Sequence, residues 1–114
     1  MINLHTTVVS ALNEVLPTYY EMILTPKTEI PCISYMELTN VDSSVGDTIG
    51  YSNITYQVKV WSKEIREIQD YSLQIDGVMR GLGFKRIGSA ELHDNQSAMI
   101  QKILTYKCLA LEEF

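Results

Sequence analysis

Two histidines and two cysteines hold most of the reactive chemistry open to this chain of 114 residues. Nucleophilic catalysis needs an attacking group, a base and an orienting acid that converge on one point. His93 is followed directly by Asp94, a base beside a candidate orienter. No G-x-S-x-G or comparable nucleophile motif accompanies them, so the pair reads as a solvated turn. His5 stands alone near the chain start. Neither Cys32 nor Cys108 has a second ligand at C-x-x-C or H-x-x-x-H spacing, so no metal and no cofactor are expected. Both read as reduced core thiols in strands. Gly81-x-Gly83 follows a helical pattern, whereas phosphate loops precede one, and it reads as a helix stop. Glu64, Glu67 and Asp70 interleave with Lys63 and Arg66 as a solvated helix face. The residues predict surfaces rather than a reaction centre.

The elements that must carry those surfaces begin with Leu4, Val8, Leu12 and Val15 on one helical face within residues 2–16. Pro17 ends the helix. Residues 18–24 predict a short strand around Tyr19-Tyr20, and Pro31 opens a second over 32–38. In residues 54–61, Ile54, Tyr56, Val58 and Val60 alternate with Thr55, Gln57 and Lys59, a strand with one buried face. Trp61 has the opposite parity; the preferred reading buries it under the following helix, the alternative places it against another subunit. Ser62 is a candidate N-cap. Ile65, Ile68, Ser72, Ile75, Met79 and Leu82 then recur at helical spacing up to Gly83. Residues 84–93 predict a weakly alternating strand, 94–97 a polar turn, and 98–111 a strand long enough to cross the sheet as an internal member. The expected fold is α+β: a mainly antiparallel sheet packed against two helices, in the order α-β-β-β-α-β-β, forming one domain over 1–114.

Residues 39–52 break the regularity with two glycines, three serines and two aspartates. A loop is expected there, longer than a tight hairpin needs. It reads either as a floppy surface connection or as a segment ordered by a partner, since Val41, Val45 and Ile49 gain nothing from exposure. Val41, Asp42, Ser43, Ser44, Val45, Gly46, Asp47, Thr48, Ile49, Gly50 and Tyr51 are therefore the candidate interface residues.

Charge and composition narrow the partners. The net charge is −5 and the pI about 4.9, so there is no basic footprint for gripping nucleic acid. An acidic surface suits a polyanion that passes without sticking. No apolar run approaches the roughly 20 residues of a membrane helix, and the N-terminus lacks signal-peptide regions. A soluble, intracellular domain is the expectation.

The order of elements resembles the tail-completion or tail-terminator proteins of long-tailed bacteriophages. The resemblance rests on Ile30-Pro31-Cys32-Ile33-Ser34-Tyr35 after an amphipathic helix, then Tyr56-Gln57-Val58-Lys59-Val60-Trp61-Ser62 entering the second helix. Gly81-Leu82-Gly83-Phe84-Lys85-Arg86 and Ile100-Gln101-Lys102-Ile103-Leu104-Thr105-Tyr106 complete it. It implies a structural virion protein that assembles with itself as a ring, commonly a hexamer, at the head-proximal end of the tail. The ring would contact the tail-tube protein on one face and the head connector on the other, with DNA passing through unbound. A head-tail adaptor and a small ferredoxin-like ligand-binding domain are the alternatives. Metal analysis of the purified chain is expected to find no zinc or iron; one ion per chain would overturn the reading of its histidines and cysteines.

Overall fold

The computed structural model describes residues 4–20, 28–45, 49–94 and 98–113, and excludes the side chains of 42–51 and 111–113. Its elements are α1 (His5–Asn13), β1 (Thr18–Tyr20), β2 (Cys32–Val45), β3 (Ile49–Ser62), α2 (Ile65–Gly81), β4 (Lys85–Asp94) and β5 (Met99–Glu113). The order is the expected α-β-β-β-α-β-β. One five-stranded sheet runs β1-β2-β3-β5-β4, antiparallel except for β1 beside β2. β5 lies inside the sheet, as its length predicts.

Period-2 alternation places Ile54, Tyr56, Val58 and Val60 of β3 on one face, together with Ile33 and Tyr35 of β2 and Ile100, Leu104, Tyr106 and Cys108 of β5. Register lines them up across the strands: Tyr35 opposite Val58, Tyr56 opposite Tyr106, Val58 opposite Leu104. Val8 and Leu12 of α1 and Ile68, Ile75 and Met79 of α2 close this face, so both helices share one side of the sheet. Each of these five helix residues is fully buried. At about 25 cal/mol per Å² of apolar area removed from water, such a layer is the main stabilising term.

The entrance to α2 departs from expectation by two residues. Glu64, not Ser62, occupies the N-cap position. The buried Ser62 still serves the helix start: its Oγ accepts the Glu64 N–H at 3.1 Å, and its hydroxyl donates to the Glu67 carboxylate. The exit follows expectation closely. Phe84 N–H donates to the Met79 carbonyl at 2.9 Å and Gly83 N–H to the Arg80 carbonyl at 3.0 Å. Gly83 takes the left-handed φ of +92° that this double-bonded stop requires. Phe84 then turns back into the core and meets Tyr56 edge-on, with ring centroids 5.6 Å apart.

The reading of 39–52 as a loop is corrected. Residues 39–45 are strand β2 and 49–52 are strand β3, paired from Thr39↔Thr55 to Val45↔Ile49. The register slips once, at Leu38, which flips the parity of everything after it. That bulge and the run of poor β-formers hide the strand from pattern reading.

Two glycines of α2 and its stop should respond oppositely to substitution. Gly77→Ala, on the exposed face with open space around it, should stabilise by about 0.5–1 kcal/mol through helix propensity. Gly83→Ala should destabilise by about 1–2 kcal/mol, because its backbone is left-handed although nothing crowds it. Urea denaturation of both variants checks the pair.

Candidate assembly surfaces

The residues with reactive chemistry do not converge. His93 and Asp94 end β4 and are both exposed, and His93 Nε2 lies 3.0 Å from Glu91 Oε2 on the same strand. His5 is on α1, with Nε2 2.8 Å from the Tyr35 hydroxyl and its ring in tilted contact with Tyr20 and Tyr35. Cys32 and Cys108 are free and buried. Among the described residues, no group of three His, Cys, Asp or Glu side chains is placed to hold a metal. No described helix is long and apolar enough to cross a membrane.

One acidic side chain is anchored from several elements. Asp76 of α2 accepts the Tyr106 hydroxyl of β5 at 3.1 Å and pairs with Arg80 Nε at 2.9 Å and Arg86 Nη1 of β4 at 3.7 Å. Sequence reasoning missed this knot, since its members are spread over 30 residues, from Asp76 to Tyr106, and none belongs to a motif. Its geometry fastens the second half of α2 to the sheet. Nearer the start of α2, a cleft of about 380 Å³ opens between the helix and β4. Ile68, Leu73 and Leu104 supply its apolar lining, with Arg86, Glu91 and Lys102 among its polar groups. Ser72 and Ser89 also line it, without a histidine beside either, and the Ser72 hydroxyl donates to the Ile68 carbonyl.

The sheet face away from the helices is the second surface. Trp61 sits there, half-buried, opposite Cys32 in register. Its indole N–H donates to Ser34 Oγ at 3.0 Å. The expectation that Trp61 lies under α2 is therefore corrected: strand alternation sends it to the opposite face from Val60. Leu92 and Leu109 also stand on that face, each more than half exposed.

The third surface is an arm. β4 ends at Lys85↔Lys107, and the helix-covered core ends near Ile54 and Cys108. Beyond them β3 continues from 53 back to 49, flanked by β2 on one side and residues 109–113 of β5 on the other. Five residues at roughly 3.4 Å each carry this three-stranded ribbon about 17 Å past the helices, and the molecule measures 54 × 23 × 23 Å. Of the candidate interface residues, Val41 to Val45 fall on β2 and Ile49 to Tyr51 on β3. Val41 is 57% exposed. Gly46, Asp47 and Thr48 lie outside the described residues. The segment is thus brought together as an ordered projection, where a loop was expected. A signal for it existed: a regular strand as long as 98–111 needs partners along its whole length, and residues 84–93 and 54–61 are both too short to provide them.

No family model matches the chain, and no curated protein matches it in sequence. Among solved structures, it is similar to a chain described as "Virion of native gene transfer agent (GTA) particle", with a TM-score of 0.66 and 9% identity. The match covers 92% of this chain and 84% of that one. At that identity the likeness establishes a shared fold over nearly the whole domain.

Three core groups make stability sensitive to alkali. Burial pushes the Cys32 thiol from 9.0 up to about 11 and Tyr56 from 10.0 up to about 12. Burial, then the Asp76 carboxylate, raises Tyr106 further. Folding keeps all three neutral, so their stabilisation is complete below pH 9.0, where the unfolded chain is neutral at these groups too. It is lost progressively as pH rises from about 9 to 12, because only the unfolded chain ionises there. The urea midpoint should hold between pH 7 and 8.5 and fall steeply by pH 11, with Tyr106→Phe blunting the fall. A flat midpoint through pH 11 would contradict this account.

Proposed function

We propose that this protein is a structural virion component that caps a phage tail tube as a ring and joins head to tail. The observation that carries the proposal is the shared fold with a chain of a virion particle over 92% of the domain. The order and spacing of elements described above agree with tail-completion proteins in the same direction. The mechanism is occupancy. A ring seated on the last tube ring stops further addition, and its other face receives the head connector. Such a ring needs a heterologous contact whose rotation closes, most commonly six-fold in proteins of this kind. The arm formed by 41–45, 49–53 and 109–113 is the natural reach for that contact, since it extends past the described helices. A net charge of −5 lets DNA traverse the ring without adhering. No catalytic step is proposed, and action resides in the virion after assembly in the host cytoplasm. A head-tail adaptor would use the same surfaces against different neighbours.

The test is a phage or prophage carrying either a complete knockout or a shortened hairpin in which Asn-Gly replaces 43–51, closing on the paired Asp42 and Ser52. The knockout should yield heads and tails that fail to join, seen by electron microscopy of lysates. The shortened chain should keep its helical circular dichroism, because the buried Ser52 and the core residues from Ile54 onward are retained, and should still fail to join. Normal virions from the knockout would remove the function; normal virions from the shortened hairpin would remove the arm's part in it.

A further inference from the structure

Among the described strands, β4 closes one edge of the sheet with β5 as its single partner, and all ten of its residues are exposed. An edge strand presents a row of backbone donors and acceptors that another strand can complete. The sequence of this strand selects the partner. On a chain of net charge −5, β4 is locally neutral and polarised, with Lys85 and Arg86 at its start and Glu91 and Asp94 at its end. An antiparallel copy of the same strand reverses that polarity.

We propose that two copies of this protein pair β4 to β4 about a two-fold axis at Ala90, joining their sheets into one. The choice of register follows from the faces. Lys85, Gly88, Ala90, Leu92 and Asp94 align with odd-numbered β5 residues, on the face away from the helices. Arg86, Ser89, Glu91 and His93 align with even-numbered β5 residues, on the helix side. Residues opposite each other across a strand pair must share a face, so a shift of one residue is excluded. Centred on Ala90, Gly88 meets Leu92 and Ser89 meets Glu91. The register break between Arg86 and Gly88 takes Ile87 out of step, so Arg86 meets His93 and Lys85 meets Asp94. Each dimer therefore gains two Lys85–Asp94 pairs, and Arg86 faces a His93 ring whose near neighbour is the Glu91 carboxylate. Moving the axis to Ser89 or Glu91, or further to Gly88 or Leu92, also keeps the faces but separates Lys85 from Asp94. The contact is isologous and closes at two copies, leaving the arm unused. It stands apart from the ring and is measured on the purified chain, whatever the outcome in virions.

Opposed residues of antiparallel strands have Cα atoms roughly 4.5–5.5 Å apart, within disulfide reach. Ala90→Cys should form an intermolecular disulfide with itself on mild oxidation; the native Cys32 and Cys108 are buried. Gly88→Cys should link to Leu92→Cys when the two variants are mixed, and poorly to itself. In sedimentation velocity the unaltered chain should show a concentration-dependent dimer. Lys85→Asp and Asp94→Lys should each weaken it on the order of tenfold, through two like-charge pairs per dimer, and the double variant should restore it. A monomer throughout, an oligomer that forms no Ala90→Cys disulfide, or a dimer indifferent to both charge reversals would overturn the proposal.

Discussion

The pairing of β3 with β5 is the constraint on which the rest of the molecule depends. It runs without a register break from Ile49↔Glu113 to Ser62↔Ile100. Through it the core face acquires facing rows, Ile54 by Cys108, Tyr56 by Tyr106 and Val58 by Leu104, and the helices have a surface to cover. Every other strand is placed by reference to it. β2 joins through β3 and β4 through β5, and α2 connects β3 to β4 by crossing over β5. This is an expensive contact to form first, since it closes a long loop before any reward, and the compact α2 with its well-made stop shortens the search.

That same pairing explains what could and could not be read from the residues. Alternation in 54–60 and 98–111 is strong because one face is buried under helices, and those strands were legible. The helix spanning Ile68, Ile75 and Met79 was legible for the same reason. Residues 39–45 and 49–52 are strand because β3 is held between β2 and β5, a tertiary effect that local propensity does not encode. Past Ile54 the ribbon's core-side parity carries Ser52 and Ala110 instead of large apolar residues, so no apolar period marks it, and the bulge at Leu38 shifts whatever pattern remains. The Asp76 knot was illegible on other grounds. Its partners, Tyr106 and Arg86, meet only when α2 lies on the sheet, and a single aspartate on a helix carries no motif.

A sheet whose described helices lie on one side presents a second face and two edges, and each needs a physical reason not to aggregate. Here the second face mixes Lys59, Gln57, Gln101, Thr105 and Lys107 with Trp61, Ile103 and Leu92. Charge and amides interrupt the apolar residues, and the Trp61–Ser34 hydrogen bond satisfies the indole locally. Edge β4 carries a register break and alternating polar residues, devices that discourage indiscriminate pairing while leaving one matched register open. Selectivity here comes from what each surface refuses.

The distribution of these surfaces also bears on how a small domain can work by occupancy. The helix layer and the Asp76 knot hold the body rigid, so a partner meets a preformed shape and little ordering entropy is spent in binding. The arm differs: it is backbone whose hydrogen bonds come from β2, β3 and β5 together, extending past the described helices. Segments of that kind open locally at lower free energy than the body to which they are attached. A neighbour that pairs with or packs on the ribbon stabilises the arm itself, so protection of its amides should rise on assembly while the core amides of Tyr56 and Leu104 stay unchanged. Hydrogen exchange on the free and assembled protein separates the two regions. Equal protection of the arm in both states would place the assembly contact elsewhere, on the cleft beside α2 or on the open face around Trp61.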